Sequence, residues 1–149
     1  MYNVMVQKSQ WGIVTSRSDI HGIGLFTLTG YAKGDFVIEY AGDVIRTPLG
    51  DTRERVYEAA GLGTYLFRLN DDHIVDATVN SNRARFTNHS CDPNMRAEVI
   101  SIGGRQLVVL RAIRDIPKFA ELTFNYQLPI EDRKLLCLCN AVNCVGALN

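Results

Sequence analysis

The chain has 149 residues, 46% of them apolar and 21% charged, which is the composition of a globular protein able to bury one core. Lys plus Arg (16) balances Asp plus Glu (16), so binding to polyanions through net charge alone is excluded, while a local acidic groove for a basic peptide is not. No apolar run approaches the roughly 20 residues of a membrane span, and Met1-Tyr2-Asn3-Val4-Met5-Val6-Gln7-Lys8 lacks a signal-peptide pattern, which predicts an intracellular protein whose four cysteines are reduced or metal-bound. Apolar patterning runs from near Trp11 almost to the end, without repeat, low-complexity tract or long linker, and predicts one compact domain. Its period is mostly two, which favours strands.

In chain order, His21-Gly22-Ile23-Gly24-Leu25-Phe26 comes first. Gly-x-Gly ahead of a strand permits close backbone approach to a ligand. Without a following helix it falls short of a nucleotide fingerprint and, alone, reads as a β-turn. Residues 36–40 are rich in β-formers. Asp51 as cap, Glu54 at the third helical position and Gly61 beyond the end predict a helix whose apolar face is Val56, Tyr57 and Ala60. Residues 65–69 and 74–76 flank a turn-like 70–73 and predict a hairpin. Residues 82–87 read as a shorter helix or turn. Asn88-His89-Ser90-Cys91-Asp92-Pro93-Asn94 is a polar stretch between apolar neighbours. If it is drawn inside, its side chains need partners, which a bound polar cofactor would supply. Residues 97–102 and 106–110 enclose Gly103-Gly104, the composition of a type I′ hairpin. In Glu121-Leu122-Thr123-Phe124-Asn125-Tyr126 the two rings are spaced to share a strand face, a pattern that alone reads as packing.

Cys137, Cys139 and Cys144 form a C-x-C-x4-C cluster, better explained by a loop wrapped round a metal than by a strand. Cys91 alone reads as a small buried hydrophobe. If a zinc needs a fourth thiolate, Cys91 is the only one left.

Together these stretches resemble a SET-domain protein lysine methyltransferase. The likeness rests on residues 18–26, Val37-Ile38-Glu39-Tyr40-Ala41-Gly42, Gly63-Thr64-Tyr65-Leu66-Phe67, Ala84-Arg85-Phe86-Thr87-Asn88-His89-Ser90-Cys91, the 121–126 segment and the cysteine tail. It covers about residues 14–149 and is most similar to the trithorax and mixed-lineage-leukaemia branch, through Val75-Asp76-Ala77-Thr78, Leu128-Pro129-Ile130-Glu131-Asp132 and the terminal Leu148-Asn149. The resemblance implies a mainly β fold with short helices: small curled sheets around a pseudoknot, made where the Asn88-His89 segment passes Tyr126, plus a C-terminal zinc segment. It divides the chain into a lead-in over 1–13, a SET domain over 14–128 and a post-SET zinc segment over 129–149.

The resemblance further implies transfer of a methyl from S-adenosylmethionine to a histone-tail lysine, lysine four of histone three in this branch. Tyr126 and Tyr65 would line the lysine channel as catalytic residues. His21, Ile23, Gly24, Tyr65, Asn88, His89 and Leu138 would bind the cofactor. Phe124 would set the number of methyls added. Cys91, Cys137, Cys139 and Cys144 would hold one structural zinc. A nuclear location and WD-repeat and other regulatory subunits are implied as well, with no membrane and no strong direct nucleic-acid signal. The family pattern is departed from at Thr87, Phe119-Ala120, Asn125 and Asn140. Methylation of another histone lysine or of a non-histone protein, or a weakly catalytic zinc-stabilised interaction module, is the competing expectation. Termination straight after the cysteine cluster suggests an excised C-terminal domain.

Overall fold

The computed structural model describes residues 11–130 and 132–149, so most of the lead-in expected over 1–13 lies outside the described residues. In chain order the elements are β1 (Ile13–Arg17), β2 (Ile23–Thr27), β3 (Phe36–Glu39), β4 (Asp43–Arg46), α1 (Thr47–Ala59), β5 (Leu66–Arg68) and β6 (His73–Asp76). A 3-10 turn (Arg83–Phe86), β7 (Asn88–His89), β8 (Met95–Ile102), β9 (Arg105–Ala112) and β10 (Glu121–Phe124) follow. The chain is thus mainly β with short helical segments. It divides into two compact units, each drawn from separate stretches of sequence.

The first unit comprises residues 11–38, Phe86–Glu98 and Leu110–Asn149. Its sheet follows the order β1-β2-β10-β8-β9-β3, with β7 also on β10. β1 and β2 pair antiparallel from Ile13↔Thr27 to Arg17↔Ile23. β10 has β2 antiparallel along one edge and short parallel pairings with β7 and β8 along the other. A strand enclosed in this way should be apolar along its length rather than alternating. Leu122, Thr123 and Phe124 are accordingly all buried. Ile13, Leu25, Met95, Leu110 and Leu122 fill the core, each side chain contributing roughly 1.5–3 kcal/mol by leaving water. Asn94 extends the ladder with its side chain, donating to the Glu121 carbonyl (2.7 Å) and accepting from the Thr123 N–H (2.9 Å).

The second unit comprises Glu39–Arg85 and Val99–Val109. It holds the antiparallel sheet β4-β6-β5, α1 and the tip of the β8–β9 hairpin. The hairpin turns at Gly103 (φ 57°) and Gly104 (φ 78°), the two positive angles that a type I′ turn requires. Buried Asp76 organises the unit: Arg53 donates to it at 2.8 Å, the Tyr57 hydroxyl at 2.9 Å and the Thr78 N–H at 3.0 Å. Burial pushes its carboxyl up, yet these donors together hold it below the ordinary carboxylate value.

The helix differs from its sequence reading. It begins at Thr47, four residues before the expected Asp51 cap, with Pro48 in its first turn, where a missing N–H costs nothing. Asp51 and Glu54 are therefore interior positions. Val56 faces solvent, and the buried side is Gly50 and Tyr57. Gly61 ends the helix as expected, at φ 68°, with its N–H on the Glu58 carbonyl.

Candidate active site and metal centre

The turn between β1 and β2 and the segment Asn88-His89 meet in the first unit through a part-buried polar lattice. The Asn88 amide nitrogen lies 2.9 Å from Glu121 Oε1, 3.0 Å from the His21 carbonyl, 3.1 Å from Ser18 Oγ and 3.4 Å from the Ile23 carbonyl. Its two hydrogens are shared among these acceptors. Ser18 donates its hydroxyl to Glu121 (2.7 Å) and accepts from the Ile20 and His21 N–H groups, which closes the turn. A Cβ at Gly24 would strike the Glu121 carboxylate and approach Ser18, so glycine there leaves room for the lattice. The stretch 88–90 is drawn into the interior, and protein groups supply its partners.

His89 lies beside Tyr126. Its Nδ1 accepts the Tyr126 N–H at 3.1 Å, and the rings meet edge-on with centroids 5.3 Å apart. Burial pushes the imidazole below its ordinary pKa and favours the neutral ring. The Tyr126 hydroxyl donates to the Thr87 carbonyl at 2.8 Å, and buried Phe124 packs 5.0 Å from the Tyr126 ring. The strand itself ends at Phe124, so the two rings meet through the bend that follows rather than along one strand face. Asn125 builds that bend by accepting the Gln127 N–H (2.9 Å), a turn an aspartate would make equally well. Asn140 stands at φ 55°, the left-handed conformation asparagine tolerates.

Two cavities meet at His89. The smaller, about 100 Å³, is lined by His21, Asn88, His89, Tyr126 and Leu138 among others. The larger, about 400 Å³, adds Asn125, Gln127 and Asn143. The first places one polar wall, from the turn and β7, against the aromatic and aliphatic groups Tyr126 and Leu138. Such a mixed lining suits a ligand with one polar and one apolar side. Ile23 and Gly24 join the site through the Asn88 lattice. Tyr65 belongs to the second unit. There its N–H donates to Thr78 Oγ1 (3.1 Å), its carbonyl accepts the Ala77 N–H, and the Arg85 guanidinium lies over its ring at 4.4 Å.

The four cysteine sulfurs all lie within 4.8 Å of one another. Cys91 Sγ is 3.9 Å from both Cys137 Sγ and Cys144 Sγ. Tetrahedral zinc with bonds near 2.3 Å separates its sulfurs by about 3.8 Å, so the donor set fits a closed zinc site in chemistry and in spacing. Backbone N–H groups already face the sulfurs, from Cys91 to Cys139 and from Gly146 to Cys144, both at 3.4 Å. Burial pushes the Cys137 thiol up to about 12. At Cys139 burial acts the same way, but the Cys91 and Ala141 N–H groups and the Cys137 and Cys144 thiols prevail and bring it down to about 6.

Ser18 and Glu121 were not among the residues expected at the site, although both fell within stretches that carry the resemblance. Nothing local marks either one; their role exists only once β10 lies beside β2.

Comparison with known proteins gives a family match to the SET domain over residues 22–127. The chain is 48% identical over 134 residues to histone-lysine N-methyltransferase set1 of Dictyostelium discoideum, covering 89% of this chain and 9% of that protein. It is 48% identical over 135 residues to human histone-lysine N-methyltransferase 2B, covering 89% of this chain and 5% of that protein. It is 48% identical over 133 residues to an H3 lysine-4 specific histone-lysine N-methyltransferase of Schizosaccharomyces pombe, covering 89% of this chain and 14% of that protein. The chain therefore spans less than a sixth of the length of these curated relatives.

Proposed function

The chain belongs to the SET-domain family, and from that premise we propose that it is the methyl-transferring domain of a histone-lysine N-methyltransferase acting on lysine four of histone H3. The observation that carries this reading is the convergence of His21, Asn88, His89, Tyr126 and Leu138 on one cavity. The relatives' names supply the substrate.

SET-domain methyltransferases use S-adenosylmethionine, which supplies an electrophilic methyl on a sulfonium. In this reading His21, Ile23, Gly24, Asn88, His89 and Leu138 hold it. The nucleophile must be a neutral lysine amine, and at pH 7 only about one free lysine in a few thousand is neutral. An apolar channel disfavours the ammonium and raises that fraction. Tyr126 then positions the nitrogen. Its hydrogen is committed to the Thr87 carbonyl, so its oxygen presents lone pairs to the amine rather than acting as a strong base. Alignment of nucleophile and methyl is the main remaining contribution. Phe124 carries no hydroxyl to restrain a methylated nitrogen, which favours di- and trimethylation. The four cysteines hold zinc as a structural ion that fixes the tail bearing Leu138.

Nuclear location and assembly with WD-repeat and other regulatory subunits belong to the same proposal. The deciding experiment is transfer of labelled methyl to histone H3 peptides with lysine four intact or replaced by arginine, with and without such subunits. Transfer lost only with lysine four is expected. Equal labelling of both peptides would overturn the substrate, and no labelling under any condition would favour a non-catalytic module.

A further inference from the structure

We propose that His89 is a positioning residue locked as the Nε2–H tautomer, which donates to the Cys91 sulfur and so ties the Tyr126 segment to the cysteine cluster. The inference rests on reading the four cysteines as a zinc site and deepens it. The tautomer follows from hydrogen-bond accounting. The Tyr126 backbone N–H can only donate, and it points at Nδ1 from 3.1 Å. Nδ1 is therefore unprotonated, and the proton of a neutral ring sits on Nε2. Nε2 lies 3.5 Å from Cys91 Sγ, so its N–H points at a sulfur that, as a metal-bound thiolate, is a strong acceptor.

The opposite tautomer would set two N–H groups against each other at Nδ1 and a lone pair against a thiolate at Nε2. At a ring this buried, both mismatches are costly. One imidazole thus links the two segments just beyond the β7–β10 pairing, where the ladder itself has ended. On one side is the backbone of the proposed catalytic tyrosine; on the other is the one cysteine that the body of the unit contributes to the metal. β7 fixes the ring's origin through the Phe124↔His89 pairing. Groups that orient metal ligands in this way typically change metal affinity by about 10–100-fold when lost.

The test begins with metal analysis of the purified chain; one zinc per chain is expected, and its absence from folded protein would overturn the metal reading itself, and the bridge with it. On zinc-loaded protein, long-range 1H–15N spectra of the histidines should show His89 protonated at Nε2 alone. A proton on Nδ1 would overturn the proposal whatever the variants do. Two substitutions then separate the ends of the ring. His89→Asn leaves an acceptor near Nδ1 and removes the sulfur's donor; His89→Gln places an amide donor near Nε2. Zinc release to a chromogenic chelator should accelerate about tenfold or more in His89→Asn and stay within a few-fold of the parent in His89→Gln. Release from His89→Asn at the parent rate would overturn the bridge. If neither variant folds, the spectrum of the parent protein decides.

Discussion

Around Asn88 and from residue 132 onward, the same unit is held together by opposite means. The Asn88 lattice is seated between paired strands, β2, β7 and β10, and each polar group in it faces protein partners. The tail forms no strand. Its backbone is joined by single bonds such as Cys137 N–H to the Gly146 carbonyl and Leu148 N–H to the Leu135 carbonyl, while Leu136, Val142 and Val145 stand largely in water. What gathers the tail is four sulfurs. One side of the proposed cofactor site is therefore made by ordinary folding, and the other, on the zinc reading, by an ion. Loss of the ion should loosen one wall and leave the other intact.

The largest expected effect breaks the tail alone. Cys139→Ser should reduce zinc from one per chain to near none and abolish methyl transfer, while amides of β2 and β10 keep their protection from hydrogen exchange. Exchange rising equally in both regions would show that the lattice does not stand by itself. Next comes Tyr126→Phe, which removes a hydroxyl at the junction of the two regions. Turnover should fall about 10²–10³-fold, with cofactor affinity and zinc content little changed; near-normal turnover would remove the phenol from its proposed role.

Asn88→Ala attacks the other wall. It strips the donor from the Glu121 carboxylate and the His21 carbonyl and should cost about 1–3 kcal/mol of stability. Cofactor binding should weaken before zinc content changes, which calorimetric titration beside metal analysis would resolve. Phe124→Tyr should leave the first transfer largely intact but shift products toward monomethyl, read by mass spectrometry of peptide at long reaction times; unchanged products would exclude Phe124 from product control. The smallest effect has the opposite sign. Phe119 is exposed and held at φ 67°, where a bulky residue is strained. Phe119→Gly should stabilise the unit by about 0.5–1 kcal/mol after glycine's own entropy cost, seen as a small rise in denaturant midpoint.

What could be read beforehand divides along physical lines. Gly103-Gly104 was legible because a two-residue hairpin demands positive φ, and only a few residue types supply it. The cysteine tail was legible because sulfur has few roles and metal sites have short spacings. The start of α1 was misread because Asp51 and Glu54 imitate a capping box. Pro48, which fits the first helical turn, is the better signal. Val56 looked like core because it is apolar and adjoins Tyr57, but one residue is about 100° of helix, and the packed side is that of Gly50 and Tyr57. Ser18 and Glu121 escaped because a carboxylate 103 residues from its serine partner leaves no trace in local sequence.

That separation also sets the order in which the protein can come into being. A chain emerging from the ribosome completes β1, β2, the second unit's sheet and β7 before Glu121 exists. Until then Ser18 and Asn88 have no carboxylate to share, and β7 has no strand to pair with. Contacts that close so much chain are slow to form, because their loop entropy must be overcome before they contribute anything. The Asn88 lattice is thus among the last parts of the unit to assemble, and a nascent chain that stops short of β10 carries nearly all of the fold's strands but not the carboxylate that joins them at the proposed site.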